Sequence, residues 1–309
     1  MIDPILTKLA LRRARKHVNP RIVMRSRQTS QTSMIAGFAP GATPSLREEF
    51  AAFVAGARTA SRVVGALFLR EMKTRFGRSR IGYLWAVLEP ISHVAVMSFV
   101  YWAINRRAPV GDNVILFFVT GVLPYFLFQK TAQHLGGAIR GNHLVLRMPL
   151  VTGLDLVVAR ALLEAATWVA VVLLIFGFLI LSGRAALPEQ PLVCALAAFV
   201  TFAFGFGVGT INAVLMTVWK SWVLIYPMLT RPLYHFSAIF FFIDRIPANL
   251  RDWLSWNPLT HAVGWFRVGY VEAYGSVTLD PAYLIKWTVG AVIIGLCMER
   301  AAQRAVQSG

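Results

Sequence analysis

Long apolar runs separated by short polar breaks fill this chain from about residue 81 onward, and a polar, basic stretch precedes them. The first run follows Arg75-Phe-Gly-Arg-Ser-Arg80, opens as Ile81-Gly-Tyr-Leu-Trp85, and continues from Leu84 to about Ile104. Asn105-Arg106-Arg107-Ala108-Pro109 then ends it. About 20 residues rising about 1.5 Å each cross a hydrocarbon core of about 30 Å, so this run predicts a membrane-spanning helix. The second run, 114–128, is short and holds Gly121 and Pro124, which predicts a helix that kinks or continues into the polar stretch behind it. Further spans are predicted over 154–181, 192–218, from Val223 onward, and 283–298. Residues 253–270 are too interrupted to cross and too apolar for an exposed loop. Short helices that enter the outer leaflet and return, sheltered by protein, satisfy both constraints.

The predicted fold is therefore all-α: six transmembrane helices, an N-terminal interfacial amphipathic helix and short re-entrant outer helices. Residues 1–44 read as a basic arm, with eight Lys or Arg against one acid up to residue 43. Ser45-Leu-Arg-Glu48 is a capping box that predicts a helix start. Farther along, 61–76 sets Val63, Val64, Leu67 and Phe68 against Arg62, Arg70, Lys73 and Arg75, a pattern suited to a helix lying among lipid headgroups. Three regions follow: the arm 1–44, the interfacial segment 45–80 and the membrane domain 81–309.

Composition agrees with this layout. The chain is 57% apolar and 15% charged, with mean hydropathy +0.59, outside the usual soluble range. A net charge of +17 raises nucleic acid as a partner, but 16 of the 31 Lys and Arg lie in the first 80 residues. That bias fits a cytoplasmic flank beside anionic lipid and no nucleic acid. Six crossings with both termini in the cytoplasm place 23 of the 31 cations inside. Cys194 and Cys297 both fall in spans, so no structural disulfide is expected.

Ionisable groups inside the runs change the picture most. Each costs at least about 2.5–3.5 kcal/mol in hydrocarbon, so it must face protein or water. Glu89 and His93 lie one turn apart in the first span, and Arg231 lies in the fifth. Asp155, Arg160 and Glu164 open the third, where the four-residue spacing predicts an Arg160–Glu164 pair. The longest internal polar insertion, 130–153, carries Arg140, Asn142, His143 and Arg147. It predicts a helix ending near Gly141, then a short helical piece stopped by Pro149, either a docking knob or an amphipathic turn. Gly205-Phe-Gly-Val-Gly209 sits in an apolar run with no strand before it, so it reads as a helix-packing face and not a phosphate loop.

Catalytic signatures are sparse. The sequence has no GxxxxGK[ST], HExxH, GxSxG or paired CxxC motif, and His93, His134, His143, His235 and His261 are scattered over different elements. No metal site is expected, and ATP must be bound by another subunit. Glu89, His93 and Asp155 leave open an intramembrane enzyme acting on lipid-linked sugars.

Three stretches, RFGRSRIGYLWAVLEP at 75–90, the insertion closing over 142–149, and WNPLTHAVGWFR at 256–267, together resemble the membrane subunit of type-2 ABC exporters. The likeness is greatest to permeases that export capsular polysaccharide across the inner membrane of Gram-negative bacteria. That resemblance implies a homodimer enclosing a channel lined by the first and fifth spans, with Tyr83, Trp85, Glu89, His93, Tyr101, Trp102, Tyr226, Arg231 and Tyr234 as its candidate residues. It implies no cofactor on this chain, with ATP and Mg on two separate ATPase subunits. Those subunits would dock on 61–76 and on Arg140, Asn142, His143, Leu144, Leu146 and Arg147. Trp253, Trp256, Asn257, Pro258, Trp265 and Arg267 would belong to re-entrant outer helices. A lipid-linked glycan substrate, membrane lipids, a periplasmic copolymerase and an outer-membrane channel complete the implied partners. Export of O-antigen, a teichoic-type polymer or another amphiphile is the alternative.

Overall fold

The computed structural model describes residues 46–76, 81–148 and 151–308. The arm 1–44, Ser45 of the capping box, Arg78, Arg80 and Pro149 lie outside the described residues. Residues 1–57 and 58–309 form two separate units. All regular structure among the described residues is helical. The first helix, α1, covers Leu46–Phe76. From residue 58 on, it buries Leu67 with Val63 and Val64 in a cluster that includes Leu135, Ala138, Leu156 and Val157.

The first predicted span is α2 (Ile81–Ala103). Behind it Asn105 adopts a left-handed backbone (φ 50°). Its N–H donates to the Trp102 carbonyl at 3.1 Å, and the Arg106 N–H donates to the Tyr101 carbonyl at 2.8 Å. These two bonds make a Schellman ending, with asparagine where glycine is usual. The turn folds the Arg106 guanidinium back over the Tyr101 ring, 5.6 Å from its centroid.

α3 (Val114–Gly136) begins at Asn113, whose side chain accepts the Leu116 N–H at 3.0 Å. The helix continues past the apolar run's end at residue 128 into the polar stretch, one of the two outcomes the sequence allows, with Lys130 paired to Glu89 on α2 and His134 Nδ1 2.8 Å from Glu164. It is the central element, packed against α2 and against the helices over 153–181, 191–218 and 258–270. Of its apolar window 78% is buried, against 17% for α2. α2 therefore shows most of its apolar surface to whatever surrounds the subunit.

The polar insertion forms a short α4 (Ala138–Gly141) and a 3-10 turn (Val145–Arg147). Thr152 and Asp155 then make a reciprocal capping box for α5 (Gly153–Leu181). α6 (Pro191–Val218) starts with proline, whose missing N–H costs nothing at that position. Its glycines permit close approach on two sides. A Cβ on Gly205 would stand 3.0 Å from the Phe128 carbonyl and one on Gly209 would stand 2.7 Å from Leu135, both on α3. Gly207 points the other way, to α10 (Pro281–Ser308), where a Cβ would lie 2.6 Å from the Val292 nitrogen. Backbone cannot yield as a flexible side chain does. Gly207→Val should cost about 1–3 kcal/mol or more and lower the apparent Tm in detergent. Gly290→Val on α10, where a Cβ meets nothing within 4 Å, should leave the Tm unchanged.

Among the described residues, five helices are long and apolar enough to cross a membrane: Leu84–Ala103, Val114–Gly136, Gly153–Leu181, Pro191–Val218 and Pro281–Arg304. The predicted fifth span is shorter than these. α7 (Trp222–Phe236) has 15 residues, about 22 Å at about 1.5 Å per residue, and carries Pro227 and Pro232. The chain then leaves helical geometry, with Ala238 at φ 55°. Two helices follow in the predicted re-entrant region, α8 (Ala248–Ser255) and α9 (Pro258–Tyr270). α8 buries no residue, whereas α9 is almost wholly buried.

The Asn-Pro-Leu-Thr motif explains how α7 can stop there. Asn257 caps α9 by accepting the Leu259 N–H at 3.0 Å, and it donates to the Phe236 carbonyl at 3.2 Å. Thr260 donates to that same carbonyl at 3.2 Å. Tyr101 from α2 donates to the Phe240 carbonyl at 3.1 Å. Irregular backbone in an apolar setting survives only when its polar groups are met by protein. Farther out, Asp244 accepts from Thr278 Oγ1 at 2.6 Å and from the Val277 N–H at 3.0 Å. Burial pushes its carboxyl up, but hydrogen bonds from Thr278, Ser276 and the backbone outweigh burial and hold it below the usual carboxylate range.

Candidate functional site

Two polar regions stand out from the apolar body. The first joins α1 to the insertion and to α5. Glu71 accepts both of its carboxylate oxygens' bonds from Arg160 Nη2, at 2.9 and 3.0 Å, and accepts a third from Asn142 Nδ2 at 2.7 Å. Arg160 Nη1 also donates to the His134 carbonyl at 3.0 Å. One turn along α1, Arg75 pairs with Glu164, which His134 Nδ1 meets at 2.8 Å. The predicted Arg160–Glu164 pair does not form. Each residue instead joins a partner on α1, because a bond across elements closes this junction and a bond along α5 would not. Lys130 Nζ to Glu89 at 2.6 Å adds a tie from α3 to α2. Arg75, Glu89, Lys130, His134 and Glu164 line a cavity of about 200 Å³.

This region fixes the candidate coupling residues in two sets. Arg140, His143 and Leu144 are exposed, while Asn142 is buried and Leu146 is half-buried against the cluster around Leu135. Asn142 anchors the insertion through Glu71. The Arg147 side chain lies outside the described parts. Sequence reasoning missed Glu71 as an organising residue. The available signal was that it is the only acid in the basic stretch 61–76.

The second region lies along α2 and α7. His93 Nδ1 is 2.9 Å from the Tyr234 hydroxyl, and the His93 ring packs edge-on against Phe126 and Tyr234. Tyr234 stacks on Phe126 at 5.9 Å between centroids. Tyr101 and Tyr226 are buried within the subunit. Trp85 (62%), Trp102 (73%) and Arg231 are exposed, and Arg231 makes no hydrogen bond or ion pair among the described residues. The side chain of Tyr83, in the first turn of α2, lies outside the described parts. Of the candidate channel residues, Tyr101 and Tyr226 are buried and Tyr234 is half-buried, all three packed within the subunit, whereas Trp85, Trp102 and Arg231 face outward.

In the predicted re-entrant region, Trp253 and Trp256 are exposed and Trp265 is buried. Asn257 and Pro258 start α9. Arg267 is 2% exposed and donates to three main-chain carbonyls, Ala238 (2.7 Å), Ile239 (2.9 Å) and Phe117 (3.2 Å). Its guanidinium lies 3.9 Å above the Phe117 ring. This arginine clamps the broken end of α7 to α3.

Residues 62–271, more than half of the chain, match the ABC-2 type transporter family, and the chain belongs to it. It is thus a multi-span membrane subunit of a transporter. Among individual relatives it is similar to the polysialic acid transport protein KpsM of Escherichia coli, 32% identical over 79% of this chain and 94% of the relative. It is also similar to two capsule polysaccharide export inner-membrane proteins. CtrC of Neisseria meningitidis serogroup A is 26% identical over 80% of this chain and 93% of the relative. BexB of Haemophilus influenzae is 28% identical over the same shares of both chains.

Proposed function

We propose that this chain is the permease subunit of an ATP-driven exporter that moves an acidic, lipid-linked capsular polysaccharide across the bacterial inner membrane. The observation that carries the reading is the likeness to capsule-export proteins over nearly their whole length. Two copies pair through the exposed faces of α2 and α7, and the seam between them is the polymer's route. Support for the pairing comes from the 17% burial of α2 and from Arg231, a cation on an exposed apolar helix that needs water or a partner. Trp85 and Trp102 offer flat apolar faces to sugar rings, and Arg231 attracts acidic units.

Two ATPase subunits supply ATP and Mg and dock on Arg140, His143 and Leu144 with the neighbouring part of α1. Both termini lie in the cytoplasm, in keeping with the cation bias of the first 80 residues. A periplasmic copolymerase and an outer-membrane channel extend the route. The residues an intramembrane acid–base enzyme would use are engaged in structural bonds: Glu89 with Lys130, His93 with Tyr234 and Asp155 with Thr152. That engagement favours transport over catalysis.

Purifying the chain with its ATPase tests the reading: lipid-linked acidic glycan should stimulate ATP hydrolysis, and turnover of glycan by the chain alone would overturn it. Arg231→Ala should reduce export of the acidic polymer while basal hydrolysis stays near the parent rate. Equal export by that variant would remove the charge-attraction role.

A further inference from the structure

The Schellman turn behind α2 builds an open cavity of about 720 Å³, within the range of about 300–1,000 Å³ usual for ligand sites. Its walls carry Ser98, Trp102, Asn105, Arg106, Arg107 and Asp112. Arg106 and Arg107 are exposed and outnumber the one acid, Asp112, so the mouth is cationic. In the proposed orientation it opens outward, on the side where the membrane orientation rule leaves few cations. Two adjacent arginines there need a reason other than orientation. The Ser98 Oγ at its wall has no hydrogen-bond partner among the described residues. Trp102, in the last helical turn of α2 just before that ending, shows 73% of its surface.

This set matches one ligand chemistry. Guanidinium forks take carboxylates in two parallel bonds, and an indole face takes the apolar face of a sugar ring. We propose that the mouth between α2 and α3 is a glycan-binding subsite that selects acidic sugars as the polymer leaves the membrane. Arg106 and Arg107 bind carboxylates, Trp102 stacks on a ring, and the Asn105 turn holds all three in place. The subsite rests on the export reading and its orientation, and it adds a residue-level basis for preferring an acidic polymer.

The test uses the full chain in nanodiscs of zwitterionic phosphatidylcholine, titrated calorimetrically with oligogalacturonate and with maltoheptaose of the same length. The acidic oligosaccharide should bind at least about tenfold more tightly than the neutral one and weaken with salt. Arg106→Gln with Arg107→Gln should weaken the acidic ligand by at least about tenfold, and Trp102→Ala should weaken both ligands. Both arginines are exposed, so the double variant should keep the parent's Tm. A parent that binds both glycans equally, or a double variant that binds like the parent, overturns the subsite. Glycan-stimulated hydrolysis by the parent complex is measured in parallel: stimulation with unaltered binding by the double variant removes the subsite alone, whereas no stimulation removes the export reading.

Discussion

Arg267→Met is expected to deprive the subunit of a stable fold, with little monodisperse protein recovered and a sharply lowered Tm in what remains. The substitution keeps an apolar stem and removes every donor. It leaves the carbonyls of Ala238, Ile239 and Phe117 without the guanidinium that now satisfies them. Each buried group left unpaired costs about 1–3 kcal/mol, so the total is about 3 kcal/mol or more, a large share of any domain's margin. Arg267→Lys should recover little, since one ammonium cannot span three carbonyls or lie flat on Phe117. Gly121→Ala should show a milder form of the same defect, because its Cβ would stand 2.6 Å from Arg267 Nη2. A parent-like Tm for Arg267→Met would show that the clamp is dispensable.

Glu71→Ala should have the second largest effect, on transport more than on folding. The carboxylate is the only point at which α1, Asn142 of the insertion and Arg160 of α5 share a partner among the described bonds. Removing it leaves the Arg160 guanidinium with the His134 carbonyl as its remaining partner among the described bonds. Movement at the docking face then no longer reaches α5 through this junction. Export should fall at least about tenfold while ATP hydrolysis by the complex continues. Glu71→Gln, which keeps two acceptor lone pairs and loses the charge, should fall between parent and alanine. Parent-level export by Glu71→Ala would remove the junction from the coupling route.

The sequence and the structure part company at particular residues, each for a physical reason. Spans set by uninterrupted apolar runs, such as 154–181 and 192–218, match α5 and α6 to within one residue. Hydrocarbon length constrains them and little else does. For the second span the sequence leaves a kink or a continuation open, because the partners of Lys130 and His134 on α2 and α5 decide it. α10 likewise continues beyond Met298, since buried Glu299 packs against the start of α5 and Gln303 donates to it. The fifth span has a start but no legible end in the sequence, because proline-bearing apolar sequence does not reveal where the ladder breaks. Glu71, Arg160 and Glu164 were all visible as charges, but spacing along one helix cannot reveal a partner on another. Arg267 is visible in the sequence only as a cation in the stretch 256–267, and its role as a clamp depends on carbonyls contributed by α3 and by the chain after α7.

The shortness of α7 also acts on the lipid. At about 22 Å, against about 30 Å of hydrocarbon, it obliges the bilayer beside it to thin or it must itself be screened. Dented lipid is elastically costly over its whole rim, and two dents that merge have less rim than two apart. A membrane of greater thickness therefore raises the penalty for a solitary copy and favours whatever company shortens that perimeter.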